Sequence, residues 1–168
     1  MENAIDKANI LIEALPYIKQ FQKHVILIKY GGSILQNDAV RESVLTDIAF
    51  LRYAGIRPVL VHGGGPHINE RLRADGHPVR FHDGLRVTDA KTLSIVLDEM
   101  DSLNRRLVRE INVHGAIARG FVGTRCLVHA EPLRADVDLG FVGAPVGCDD
   151  ERLRRALRSS IPVVAPMG

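Results

Sequence analysis

At 168 residues the chain is long enough for one compact α/β domain with a sizeable core, and 46% hydrophobic against 25% charged residues exclude disorder. A formal net charge of +2 and 5% aromatic residues argue against a nucleic-acid partner, which would need a basic surface or base-stacking rings. The two cysteines, Cys126 and Cys148, match no zinc or redox spacing, no apolar run approaches membrane-spanning length, and the N-terminus lacks the basic and apolar regions of a signal peptide. A reduced cytoplasmic protein without membrane contact is therefore expected.

Residues 3–20 have helical spacing, with Ile5, Ala8, Ile12 and Leu15 on one face. Pro16 should kink or break that helix. The segment (residues 1–22) precedes the α/β alternation, so its apolar face packs on its own domain or docks on another subunit. Strand one, at 24–29, is apolar nearly throughout, as expected for a strand covered on both faces. Lys29-Tyr30-Gly31-Gly32-Ser33 follows it. Asn37 or Asp38 can cap the next helix, whose buried stripe is Val40, Val44, Leu45, Ile48 and Leu51. Gly55 ends that helix and Pro58 opens strand two, which runs into His62-Gly63-Gly64-Gly65-Pro66. Pro66 suits a first helical turn, Ile68 and Leu72 carry the apolar side, and Gly76 is the stop.

Residues 77–88 form a connection, with a short β-arm over 79–82 and a turn at Asp83-Gly84. Thr88 as N-cap and Asp89 in the first turn begin a long helix to His114, with Leu93, Val96, Leu97, Met100, Leu103, Leu107, Val108 and Ile111 at spacings of three, four and seven. Beyond Gly115 the pattern weakens. It suggests a strand at 116–118, a hairpin pairing 125–128 with 139–142, a helix at 150–159 capped by Asp149, and a last strand at 161–165. The alternation predicts an α/β fold: a three-layer α/β/α sandwich around a mainly parallel sheet.

The two glycine turns share one design of strand, glycines, then helix. Glycine tolerates positive φ and close backbone approach, and a helix N-terminus offers free N–H groups and partial positive charge, so each turn is an anion-site candidate. Lys29 adds a full charge at its strand end. Neither turn is a Walker A loop or a dinucleotide fingerprint, since the lysine precedes the glycines and Ile68 stands where a third fingerprint glycine would be.

Together, Ile28-Lys29-Tyr30-Gly31-Gly32, Val61-His62-Gly63-Gly64-Gly65-Pro66 and Gly84-Leu85-Arg86-Val87-Thr88-Asp89 resemble the amino-acid kinase family, in its acetylglutamate kinase branch. Glu13-Ala14-Leu15-Pro16-Tyr17-Ile18 is similar to the N-terminal helix of the arginine-sensitive hexameric members. The resemblance covers nearly the whole chain and is loosest over 116–138, where Arg119-Gly120-Phe121-Val122-Gly123-Thr124-Arg125 departs from the Gly-Lys-Asp segment frequent in the family.

The resemblance implies transfer of the ATP γ-phosphoryl group to the side-chain carboxylate of N-acetyl-L-glutamate, in arginine biosynthesis. Lys29 matches the catalytic lysine that stabilises the transition state. Gly31 and Gly32 match phosphate-binding positions, and Gly64, Gly65 and Arg86 match substrate-binding ones. Arg86 would grip the α-carboxylate with its guanidinium fork, or else form a salt bridge to Asp83 or Asp89. His62 and His67 lack a third ligand, so no metal site is expected, and His62 would orient the turn. Magnesium would arrive with ATP. The resemblance further implies that residues 23–168 form the acetylglutamate-binding N-terminal domain, that the ATP-binding domain of family members follows the point where this sequence stops, and that the chain assembles as a dimer or hexamer. Two other readings stay open: a non-catalytic acetylglutamate-binding or assembly module, and a sibling kinase acting on another carboxylate or on carbamate.

Overall fold

The computed structural model describes residues 2–31 and 37–168, with side chains from Ile5 onward. Gly32 and Ser33 lie outside the described residues. Four parallel strands form the central sheet in the order β1-β2-β8-β5: β1 (Val25–Tyr30), β2 (Arg57–His62), β5 (Ala118–Phe121) and β8 (Ile161–Val164). Between β1 and β2 runs α2 (Asp38–Tyr53), and α3 (Gly65–Ala74) follows β2. A two-stranded hairpin, β3 (Phe81–His82) with β4 (Leu85–Arg86), leads to α4 (Ala90–Val113). A second hairpin, β6 (Val128–Pro132) with β7 (Gly143–Cys148), precedes α5 (Asp150–Ser159).

Alternation along each strand divides the core into two layers. Tyr30, Leu60, Ala118, Ile161 and Val163 pack against Leu45 and Ile48 of α2 and Leu103, Leu107 and Ile111 of α4. On the other face Val59, Val164 and Phe121 meet Ala156 and Leu157 of α5. Leu45, Leu60, Leu107 and Ile111 are fully buried, each worth about 1.5–3 kcal/mol relative to an exposed side chain. The α/β/α expectation holds, and the sheet is parallel throughout.

Helix ends follow local chemistry. Asn37 accepts from the Val40 amide at 3.1 Å and caps α2. Asp89, not Thr88, caps α4 by accepting from the Thr92 amide at 2.7 Å. Thr88 is diverted, because its hydroxyl donates to the Arg86 carbonyl and its backbone pairs with the segment at Leu139 and Phe141. The Asp83-Gly84 turn takes φ of 48° and 79°, both left-handed, which closes the two-residue hairpin.

Other expectations need correction, beginning with Val40 of the α2 stripe, which is 41% exposed. The first helix, α1 (Glu2–Phe21), is continuous through Pro16, so the break does not occur. Its Ile5, Ile12 and Leu15 are exposed, so that face does not pack on the described body of the domain. The amide that Pro16 lacks would have met a carbonyl on a solvated helix, where water replaces it. β1 is an edge strand covered on one face only: Val25 and Leu27 are 54% and 66% exposed. The strand expected at 116–118 lies two residues later as β5, and the hairpin pairs 128–132 with 143–148. The Leu127 and Leu139 side chains are buried in the interior, and Gly140 turns the backbone at φ 68°. A Cβ on Gly140 would stand 2.2 Å from the Thr88 carbonyl oxygen. Among the described residues no helix is long and apolar enough to cross a membrane.

Candidate active site

Parallel pairing delivers the C-terminal ends of β1 and β2 side by side, so Gly31 and the second glycine turn follow neighbouring strand ends. The Gly63 amide donates to the Tyr30 carbonyl at 2.8 Å, stitching one turn to the other. A Cβ on Gly31 would lie 3.9 Å from the Gly63 nitrogen, and one on Gly63 would lie 3.8 Å from the Gly31 Cα. None of Gly31, Gly63, Gly64 and Gly65 has a positive φ. Left-handed geometry is therefore not what asks for glycine at these positions, and the added Cβ contacts at Gly31 and Gly63 are ordinary van der Waals distances. Gly64 is the N-cap of α3, with φ −154°, and a Cβ there would sit 2.5 Å from the Met100 sulfur. At Gly65 a Cβ would meet nothing within 4 Å, so there is open space beside that residue. Lys29 pairs with Val61 in register, on the sheet face that α5 covers further along, and its side chain is exposed. Among the described residues it has no ion-pair partner.

A buried polar chain fixes the second turn. His62 is 0% exposed; its Nδ1 lies 3.0 Å from the Gly63 carbonyl oxygen and its Nε2 lies 3.0 Å from Asn104 Nδ2. Asn104 also donates to the Val163 carbonyl at 2.9 Å. Since the amide group is a donor, Nε2 accepts and Nδ1–H donates to Gly63, which sets a neutral tautomer. Burial holds the His62 imidazole below its ordinary pKa, partly opposed by the Gly63 hydrogen bond. The unfolded chain consequently takes up this proton first as pH falls. The associated stability is intact above about pH 6.5 and declines below it, at no more than about 1.4 kcal/mol per pH unit. Denaturant titrations at pH 7 and pH 5 should show a smaller acid loss in His62→Gln than in the wild type.

Arg86 projects from β4 toward α3. Its Nη2 donates to Asn69 Oδ1 at 2.6 Å, and its guanidinium lies 4.7 Å from the Phe81 ring centroid. Nη1 is buried with no hydrogen-bond partner, and burial lowers the pKa. The salt-bridge alternative fails: Asp89 meets His77 at 3.0 Å and Asp83 meets His82 at 3.5 Å. Arg86, Ile68, Thr88, Leu93 and Val142 help line a cavity of about 560 Å³. Asn69 is four residues past Gly65, or about 6 Å along the helix axis. α3 thus joins the second glycine turn to the guanidinium. His67, in the same first turn, has a buried Nδ1 without a partner. The sequence reading missed Asn69 and Asn104. Asn104 carries a signal, since it interrupts the apolar face of α4 between Leu103 and Leu107, whereas Asn69 carries none.

The amino acid kinase family matches residues 24–168. Acetylglutamate kinase from Geobacter sulfurreducens is 42% identical over 183 residues, which covers 100% of this chain and 62% of that protein. Its counterpart from Chromobacterium violaceum is 43% identical over 176 residues, covering 99% and 61%. The chain therefore spans about three-fifths of the curated relatives it matches. Among solved structures, smu.665 from Streptococcus mutans superposes with a TM-score of 0.75 at 28% identity, covering 84% of this chain and 58% of that one. N-acetylglutamate synthase from Neisseria gonorrhoeae, complexed with coenzyme A and N-acetyl-glutamate, gives a TM-score of 0.78 at 24% identity over 94% of this chain and 37% of its own, a likeness of fold.

Proposed function

The chain belongs to the amino acid kinase family, and from that premise we propose that it is the substrate-binding part of an acetylglutamate kinase. The observation that carries this reading is the Arg86 Nη1, a buried cationic donor without a partner, at a cavity within one helical turn of the glycine amides. An orphaned charged donor of this kind calls for an anionic acceptor, and a carboxylate matches the guanidinium fork. N-acetyl-L-glutamate would place its α-carboxylate on Arg86 and its side-chain carboxylate toward Gly64 and Gly65. A side-chain carboxylate oxygen then attacks the γ-phosphorus of ATP. The new P–O bond forms as the bond to ADP breaks, giving an acyl phosphate. Gly31, with Gly32 outside the described residues, and Lys29 would meet the charge on the moving group, since phosphoryl transfer depends on positioning and neutralisation. Magnesium would travel with the nucleotide.

Binding is the primary test, because the chain spans 62% of its Geobacter relative. Calorimetry with N-acetyl-L-glutamate should give saturable 1:1 binding, and no saturable heat would sink the assignment. Lys29→Ala should leave that affinity within about threefold, the pattern of a group felt only in the transition state. A loss of about tenfold or more would instead make Lys29 a substrate-capture residue.

The homo-oligomer implied for the family is assigned to α1, on the exposure of Ile5, Ile12 and Leu15. Ile12→Asp should lower the mass seen by light scattering and change domain stability by less than about 0.5 kcal/mol. A wild type that is already monomeric would remove this assignment.

A further inference from the structure

A second group of cations lies away from Lys29 and Arg86. Arg119 and Phe121 leave β5 on the face covered by α5, Arg125 ends the 3₁₀ turn Gly123–Arg125, and Arg152 and Arg155 stand three residues apart on α5. With Gly120 and Ala156 they line a cavity of about 340 Å³, within the range of small-ligand sites. β5 is the other edge of the sheet, so the cavity opens there.

The cavity is partly organised in advance. Arg152 Nη1 donates to the Cys126 carbonyl at 3.3 Å, and its guanidinium lies 5.7 Å from the Phe121 ring centroid. Phe121 is 3% exposed and gives the site an apolar wall. Arg155 is paired with Glu151 at 2.6 Å. Among the described residues, Arg119, Arg125 and Arg152 have no acidic partner. Three uncompensated guanidinium groups around one hollow repel each other until an anion enters.

We propose that this cavity binds a diphosphate group. A diphosphate carries roughly three negative charges near neutral pH, since second phosphate ionisations fall near pH 6. That matches the three unpaired guanidinium groups, and its oxygens suit their forks. A monocarboxylate would leave most of the charge uncompensated. The site is separate from the phosphoryl-transfer site. Phe121 and Lys29 share one row of the sheet through Val164 and Val61, three strand spacings apart, or about 14 Å. Within that row α5 packs on Val164 and Phe121.

Calorimetric titration of the chain with sodium pyrophosphate at fixed ionic strength tests this. Saturable binding is expected, weakened about tenfold or more in Arg119→Ser/Arg125→Ser and changed by less than about twofold in Lys29→Ala. Both arginines are exposed, so the double variant should keep the wild-type melting temperature. If it does not, Arg125→Ser alone should still weaken binding about threefold. A parallel titration with ADP distinguishes the source: dependence on the same arginines points to a nucleotide, and pyrophosphate binding alone points to the free ion. No saturable heat, undiminished binding in the arginine variants, equal competition by sulfate, or a matching loss in Lys29→Ala would each overturn the proposal.

Discussion

Arg86→Met is expected to weaken N-acetyl-L-glutamate binding about 100-fold, equivalent to about 2.7 kcal/mol. Losing one partner of a buried, hydrogen-bonded charge pair costs roughly 2–5 kcal/mol, because the other charge is left desolvated and alone. The geometry also foretells Arg86→Lys. In the wild type Nη2 is already committed to Asn69 at 2.6 Å, while Nη1 remains free and buried. The Phe81 ring, 4.7 Å from the guanidinium carbon, limits rotation. A lysine ammonium cannot occupy both positions of the fork, so this variant should lose about tenfold or more. Asn69→Ala should fall between wild type and Arg86→Lys, since it frees the fork without removing its charge. Calorimetry gives the affinities, and urea titration checks that the fold survives. Undiminished affinity in Arg86→Met would end the assignment of this cavity to the α-carboxylate.

The reasons for legibility differ between halves of the chain. Strand, glycine turn and helix could be read twice in the first half because each boundary carries its own chemistry: Asn37 as cap, Gly55 and Gly76 at positive φ, Pro66 at the start of α3. The same locality made α4 legible, since its apolar spacing runs the length of the helix, although Leu97 of the expected face is exposed and the unnamed Ile95 is buried. Over 116–148 local signals compete with distant ones. Leu127 and Leu139 look like strand residues, yet core demand buries both side chains, and the hairpin pairs 128–132 with 143–148. β1 misled for a different reason. A run of apolar residues reports composition, whereas coverage depends on which helices reach the edge of the sheet.

At the site, residue type was legible and partnership was not. Lys29, Gly31, Gly64, Gly65 and Arg86 could be singled out by motif, and the structure places Gly31 against Gly63 and Arg86 against the helix that starts at Gly65. Gly120 carried no functional signal at all. Its reason is steric: a Cβ there would stand 2.1 Å from Asn104 Oδ1. A glycine on β5 thus makes room for an asparagine on α4 that holds a histidine at the end of β2.

That dependence sets the expectation for Asn104→Leu, a loss of about 3 kcal/mol in folding stability. The asparagine is 1% exposed and supplies donors to two buried acceptors, His62 Nε2 at 3.0 Å and the Val163 carbonyl at 2.9 Å. Leucine has nearly the same length, so little cavity term arises. Each orphaned acceptor instead costs about 1–3 kcal/mol in lost solvation. The two acceptors lie on neighbouring strands, β2 and β8, so the damage should be local to the strand ends that carry the second glycine turn. Hydrogen exchange should report faster opening of the amides around Gly63–Gly65, with α2 little changed. Asn104→Asp separates hydrogen bonding from shape. A buried carboxylate facing a carbonyl oxygen is unfavourable, but it can accept from a protonated His62. This variant should therefore recover stability as pH falls through the histidine range, opposite in sign to the wild type. If urea titration finds Asn104→Leu as stable as the wild type, the chain from His62 to Val163 does not hold the turn, and the glycine amides must be positioned by the sheet alone.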